Sequence, residues 1–161
     1  MSSSKSSERL DAWRAVVTSH AAVTDRVQQA LAAADLPPLS WFEVLRAVKL
    51  SPTGRPRMSE LAEWLTLSRG GITKLVDRLV DAGYVERLTC TEDRRGFWAQ
   101  LTPAGERILD EMTQVYAAEV ERHLSGLSTE EAEQVAAALQ KVTATTCREG
   151  KGAAAPLEAA A

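Results

Sequence analysis

The chain has 161 residues, 45% of them apolar and 25% charged, with a formal net charge of −3. Such a composition suits a soluble globular fold of one domain, with room for an added oligomerisation element, and excludes a histone-like or arginine-rich binder. The polar start MSSSKSSER has no apolar stretch of the kind a secretory signal needs, and no apolar run is long enough to span a bilayer.

No membrane partner is therefore expected, and a cytoplasmic location is. Cys90 and Cys147 stand at no metal or disulfide spacing, which fits a reducing compartment. Along the chain, Leu10, Trp13, Val17, His20, Thr24, Val27 and Leu31 step by three and four, the spacing of one helix face. They predict a helix over 7–36, roughly 25 residues in its regular part and about 40 Å long. That outruns a domain this small, so part of it is expected to meet a partner chain. Residues 1–6 are expected to be disordered. Leu36-Pro37-Pro38 ends the first helix, and Ser40 with Glu43 has the Ser-x-x-Glu spacing of a capping box for a second, burying Trp41, Val44, Leu45 and Val48. Residues 51–56, SPTGRP, read as a loop.

Ser59 begins a short helix with Leu61, Trp64 and Leu65 inward. Ser68 caps another, whose core face is Ile72, Leu75, Val76, Leu79 and Val80 and which stops at Gly83. Two strands follow, about 84–90 and 96–101, with Phe97, Ala99 and Leu101 on one face and Trp98 on the other. Thr102-Pro103 is an N-cap followed by proline at the first helical position. The helix it opens carries Ile108, Leu109, Met112, Val115, Tyr116, Val120 and Leu124 and is interrupted at Gly126. Ser128 and Glu131 form a second capping box, opening a helix with Val135, Ala136, Leu139 and Val142. From 148 to 161 no core pattern remains, and that tail is expected to be disordered.

The order is therefore long helix, helix, short helix, turn, helix, β-hairpin, long helix, helix. Its centre is a helix-turn-helix with a hairpin behind it. Residues 52–107 hold nine Lys/Arg against eight Asp/Glu and the remainder ten against fourteen, so the centre is the less acidic part. The hairpin tip is unusual. A tight turn ordinarily uses Asn-Gly or Asp-Gly, whereas this tip reads Glu92-Asp93-Arg94-Arg95 with only Gly96 to help.

Residues 58–105, MSELAEWLTLSRGGITKLVDRLVDAGYVERLTCTEDRRGFWAQLTPAG, closely resemble the winged-helix core of the MarR family of bacterial transcription regulators. The signals are Leu61-Ala62-Glu63, the run from Ile72 to Leu79, Gly83-Tyr84-Val85-Glu86-Arg87, and Asp93-Arg94-Arg95 followed by Leu101-Thr102 and Gly105. The resemblance implies a mainly α fold (an α+β winged helix). It has a winged helix-turn-helix lobe over 40–101, an N-terminal dimerisation helix over 7–36 and C-terminal dimerisation helices over 102–147. It also implies a homodimer on an inverted-repeat operator in double-stranded DNA, and a small aromatic or phenolic effector held between the dimer helices and the lobe.

The residues agree with that expectation on chemical grounds. Opposite its core face the Ser68 helix carries Arg69, Gly70, Thr73, Lys74, Asp77, Arg78 and Asp81. A major groove admits one helix, whose N-terminal residues reach base edges. Arg69 and Lys74 suit guanine O6 and N7, Thr73 a phosphate or base, and Ser68 with the first amides a phosphate. Gly70 and Gly71 depart from the family, which often has Pro and small hydroxyl residues there. They cost roughly 1 kcal/mol each against alanine in a helix interior, permit close backbone approach, and leave Arg69 as the reader; a poorly capped helix start is the plainer alternative.

At the wing, a narrow minor groove attracts arginine. By resemblance Arg94 is the probe and Arg95 is structural, paired with Asp93 or Asp77; Asp93 braces the guanidinium pair. A solvated ion-pair cluster is the competing reading. For an effector, Arg14 can meet a carboxylate, His20 can change charge near neutral pH, and Trp13 and Trp41 can supply aromatic walls. The plainer account pairs Arg14 with Asp11 or with a carboxylate of a partner chain, and makes His20 a satisfied interface residue. Cys90 reads as a small buried hydrophobe rather than a redox sensor, and the scattered His20, His123 and cysteines give no metal site. No cofactor is implied. An enzyme fails for want of a constellation, lacking a phosphate loop, a nucleophile pattern and a carboxylate pair. A winged-helix protein–protein module is the alternative to DNA binding.

Overall fold

A computed structural model describes residues 2–89 and 97–149. Its elements are α1 (Ser2–Ala33), α2 (Leu39–Leu50), α3 (Met58–Trp64), α4 (Arg69–Asp81), β1 (Val85–Thr89), β2 (Phe97–Leu101), α5 (Pro103–Leu124) and α6 (Thr129–Glu149). This is the mainly helical winged-helix order the sequence predicts. Several boundaries differ, the first helix ending at Ala33 rather than 36 and the third starting at Met58 rather than Ser59. The first helix begins at Ser2 rather than at 7, because residues 2–8 contain neither Pro nor Gly to stop it. The last runs to Glu149, just past the expected 147.

Three helices end in the same device. Each has a residue in the left-handed region, and the N–H that follows it bonds back to a carbonyl in the last turn of the helix. After α1 this residue is Asp35 (φ 54°), with Leu36 N–H on Leu31 O at 2.9 Å. After α3 it is Thr66 (φ 53°), with Leu67 N–H on Ala62 O at 2.9 Å. After α4 it is Gly83 (φ 75°), with Tyr84 N–H on Leu79 O at 2.9 Å. The helix starts are less uniform. Ser68 Oγ accepts from Gly71 N–H at 3.1 Å, Thr102 Oγ1 accepts from Gly105 N–H at 3.0 Å, and Ser128 with Glu131 makes the expected reciprocal box. Ser40 does not cap. Helix α2 starts at Leu39 behind Pro38 with no side-chain cap, because the two prolines fix the entry and Leu39 is drawn into the core at 7% exposure.

The core gathers Val27 and Leu31 of α1, Phe42, Val44, Leu45 and Val48 of α2, Leu61 of α3, Ile72, Val76 and Leu79 of α4, Val85, Ala99, and Leu109 and Met112 of α5. Phe42 stacks on Tyr116 at 4.8 Å between centroids. The α1 stripe is thus divided. Its C-terminal end is buried, whereas Leu10, Trp13 and Val17 are 54%, 62% and 47% exposed. Strands β1 and β2 pair antiparallel, Val85 with Leu101 through Thr89 with Phe97. Arg57 adds a one-residue bridge to Trp98, and Ala99 N–H donates to Pro56 O at 3.0 Å, so the chain before α3 runs along the outer edge of β2.

Candidate nucleic-acid interface

Helix α4 owes its position to its apolar face. Ile72, Val76 and Leu79 are buried, Leu75 and Val80 half-buried, and the polar side opposite them faces out. Arg69, Gly70, Thr73, Lys74 and Arg78 are all exposed, as the sequence predicts. Among the described residues none of the three cations makes an ion pair, so their charge is open to an external anion. Thr73 is less available than its position suggests, since its hydroxyl donates to Arg69 O at 2.8 Å.

The two glycines differ. A Cβ on Gly71 would lie 3.2 Å from Ser68 Oγ, the atom that caps the helix, so the fold itself favours glycine there. A Cβ on Gly70 would meet nothing within 4 Å. No internal contact accounts for glycine at 70, although it lowers helix stability.

Asp77 is half-buried and engaged. Arg87 of β1 reaches across to it, Nη2 to Oδ1 at 2.5 Å, and Arg87 Nε is buried without a hydrogen-bond partner. Arg87, opposite Ala99 in the register, lies on the sheet face turned to the core and so braces strand against helix. Sequence reasoning did not single out this residue as a site. Its signal was available in the alternation of β1, where Arg87 shares a face with Val85. Asp77 therefore has a partner without Arg95. Asp93, Arg94, Arg95 and Cys90 lie outside the described residues. Trp98, on the outer sheet face, lies under the Arg55 guanidinium, 5.1 Å from the ring centroid.

The four effector candidates are not gathered into one cavity of the subunit. Arg14 is paired with Asp11 at 3.1 Å, both well exposed, as the plainer account has it. Trp41 turns edge-on to Tyr84 at 6.2 Å, and Trp13 is open on the far part of α1. His20 is exposed and near Glu43 of α2. Burial raises the Glu43 carboxyl above its usual range, and His20 offsets part of that rise. Two surface cavities of about 480 and 470 Å³ are lined by other residues, among them Lys49, Arg55, Arg57, Glu60 and Trp98.

Known proteins share this arrangement. The family model described as MarR family matches residues 34–96. The multiple antibiotic resistance protein MarR of Escherichia coli is 31% identical over 102 residues, which is 63% of this chain and 69% of that protein. The chain spans about half to just over two-thirds of the length of the curated relatives it matches. Among solved structures, AbsC, a MarR family transcriptional regulator from Streptomyces coelicolor, superposes with a TM-score of 0.76 at 27% identity, covering 88% of this chain and 95% of that one. A second MarR family transcriptional regulator from Streptomyces coelicolor, solved in complex with DNA, gives 0.75 at 26% identity over 84% and 89%. Taken with the capped α4 and the bridged hairpin, these matches mean that the chain belongs to the MarR family.

Proposed function

We propose that the chain is a sequence-specific transcriptional regulator of double-stranded DNA, acting as a homodimer and repressor on an inverted-repeat operator. Helix α4 enters the major groove, Arg69 and Lys74 read base edges, and Ser68, Thr73 and Arg78 hold the register against the backbone. Arg94 enters the minor groove with Asp93 and Arg95 beside it. The observation that carries this reading is the outward face of α4, where three cations without ion-pair partners among the described residues flank a glycine that no internal contact requires. The DNA-bound structural neighbour supports it. A small aromatic effector, held between the dimer helices and the lobe by Trp13, Arg14, His20 and Trp41, releases the operator; its carboxylate has to displace Asp11 from Arg14.

The test is a titration on pooled genomic DNA at two salt concentrations. Phosphate contacts make affinity fall steeply with salt. Absence of DNA binding favours the protein–protein module instead. Gly70→Ala gives a sharper readout. It is expected to stabilise the fold by up to about 1 kcal/mol, because helical alanine replaces glycine in open space, and to weaken DNA binding, because the new methyl stands between backbone and groove. A stabilised variant with unchanged affinity would remove the close-approach role.

A further inference from the structure

We propose that Arg55, lying over Trp98, and Arg57 beside it form a second DNA contact on the flank of the wing, gripping phosphates of the strand that borders the minor groove. The inference rests on the DNA-binding reading and adds to it a surface outside α4 and the hairpin tip.

The backbone sets the geometry. The Arg57–Trp98 bridge and the Ala99 N–H to Pro56 O bond hold residues 56 and 57 against the outer edge of β2. Antiparallel register then sets Arg55 level with Gln100, further from the hairpin tip than Trp98. The Arg55 guanidinium nevertheless lies over the Trp98 ring, so its side chain runs along the strand towards the tip. A guanidinium held over a ring face by its charge keeps N–H groups free to bond an anion. Arg57 sits at the start of α3, and its backbone N–H is taken by Glu60 at 2.6 Å while its own side chain is exposed.

Neither guanidinium has an ion-pair partner among the described residues. Together with Thr53, Glu60 and Trp98 the two arginines line an open cavity of about 470 Å³. Its charge is net positive, two guanidinium groups against the one carboxylate of Glu60. Three features point to a nucleic-acid backbone rather than a free small anion. The cavity is broad and open, the cations are spaced along a strand edge, and the surface borders the same hairpin that the function sends into the groove. Contacts of this kind carry affinity and register but no sequence information.

The experiment is a salt series of binding titrations on one operator duplex and one unrelated duplex, with wild type and R55A/R57A. For every phosphate that the protein ceases to neutralise, the slope of log K against log salt becomes shallower by about 0.9. The double variant is expected to bind both duplexes more weakly, with a slope shallower by about 1–2, while the ratio between the duplexes is unchanged. R55K/R57K keeps both charges and is expected to recover the slope. It also controls for folding, alongside thermal melts of all three proteins. Wild-type slope and affinity in R55A/R57A would overturn the flank contact while leaving the DNA-binding reading intact. No DNA binding by wild type would overturn both.

Discussion

Gly105 sits in the first turn of α5, where a Cβ would collide with the backbone carbonyl of Tyr84. That carbonyl is held in place because it accepts Thr102 N–H at 3.0 Å, while the Thr102 hydroxyl donates to Gly83 O at 2.7 Å. One threonine and one glycine thus lock the exit of α4 to the entry of α5. The face of α4 is thereby oriented against the long helices. Gly105→Ala must move backbone rather than a flexible side-chain end, so it is expected to cost about 3 kcal/mol in urea unfolding, the upper end for overpacking. Thr66 is the opposite case. Its φ of 53° puts a β-branched residue where L side chains lose about 1–2 kcal/mol, and glycine there gives back about 0.5–1 kcal/mol through the freer unfolded chain. Thr66→Gly is expected to stabilise by about 0.5–1 kcal/mol in the same assay. A loss of stability would mean that the threonine side chain is needed in the turn.

At the scale of elements, α6 within a single chain relies on its own cap, because every described side chain it carries, Thr129–Thr145, is exposed there. Glu131 accepts from Ser128 N–H at 2.8 Å and from the Ser128 hydroxyl at 2.9 Å, and these bonds hold its carboxyl below the usual range. A depressed carboxylate stabilises the helix fully above its unfolded value, about 4.3, and the contribution disappears as acid protonates it in the folded state. Glu131→Gln is accordingly expected to lower the helical circular-dichroism signal at neutral pH and to match wild type in strong acid. A pH-independent difference between the two would remove the ionic part of the cap. Such boxes were legible in the sequence because they are local: Ser68, Thr102 and Ser128 all cap where their spacing says. Ser40-x-x-Glu43 has the same letters and fails, since Pro37 and Pro38 decide where α2 begins. The Asp77–Arg87 brace and the Arg55–Trp98 stack were not legible either. The alternation of β1 puts Arg87 on the inner face, but the partners that Arg87 and Arg55 meet are set only once strands, helix and loop are assembled, and no spacing encodes them.

For the whole molecule the question is what covers the apolar surface left outside the core. On α1, Leu10, Trp13 and Val17 share a face, and on α6 Val135, Leu139 and Val142 do; all six are between 40% and 62% exposed. Leu124 and Leu127, at 45% and 38%, continue that surface across the end of α5. In one chain these side chains stay largely exposed, whereas a second copy related by a two-fold axis would bring the same surfaces in reverse. Under the proposed homodimer, such an axis would also set two α4 helices against one duplex, with half-site centres about 10 bp apart. Val135→Lys with Leu139→Lys puts two charges into that seam while touching no buried residue. The expected result is a shift from dimer to monomer in sedimentation equilibrium, with the heart of the lobe still folded. Operator affinity is expected to fall far more than either half-site's own contacts would require, because one lobe binds without the other tethered beside it. A variant that stays dimeric would move the seam off α6. A monomeric variant that kept full operator affinity would show that each lobe reads DNA alone, and the inverted repeat would lose its reason.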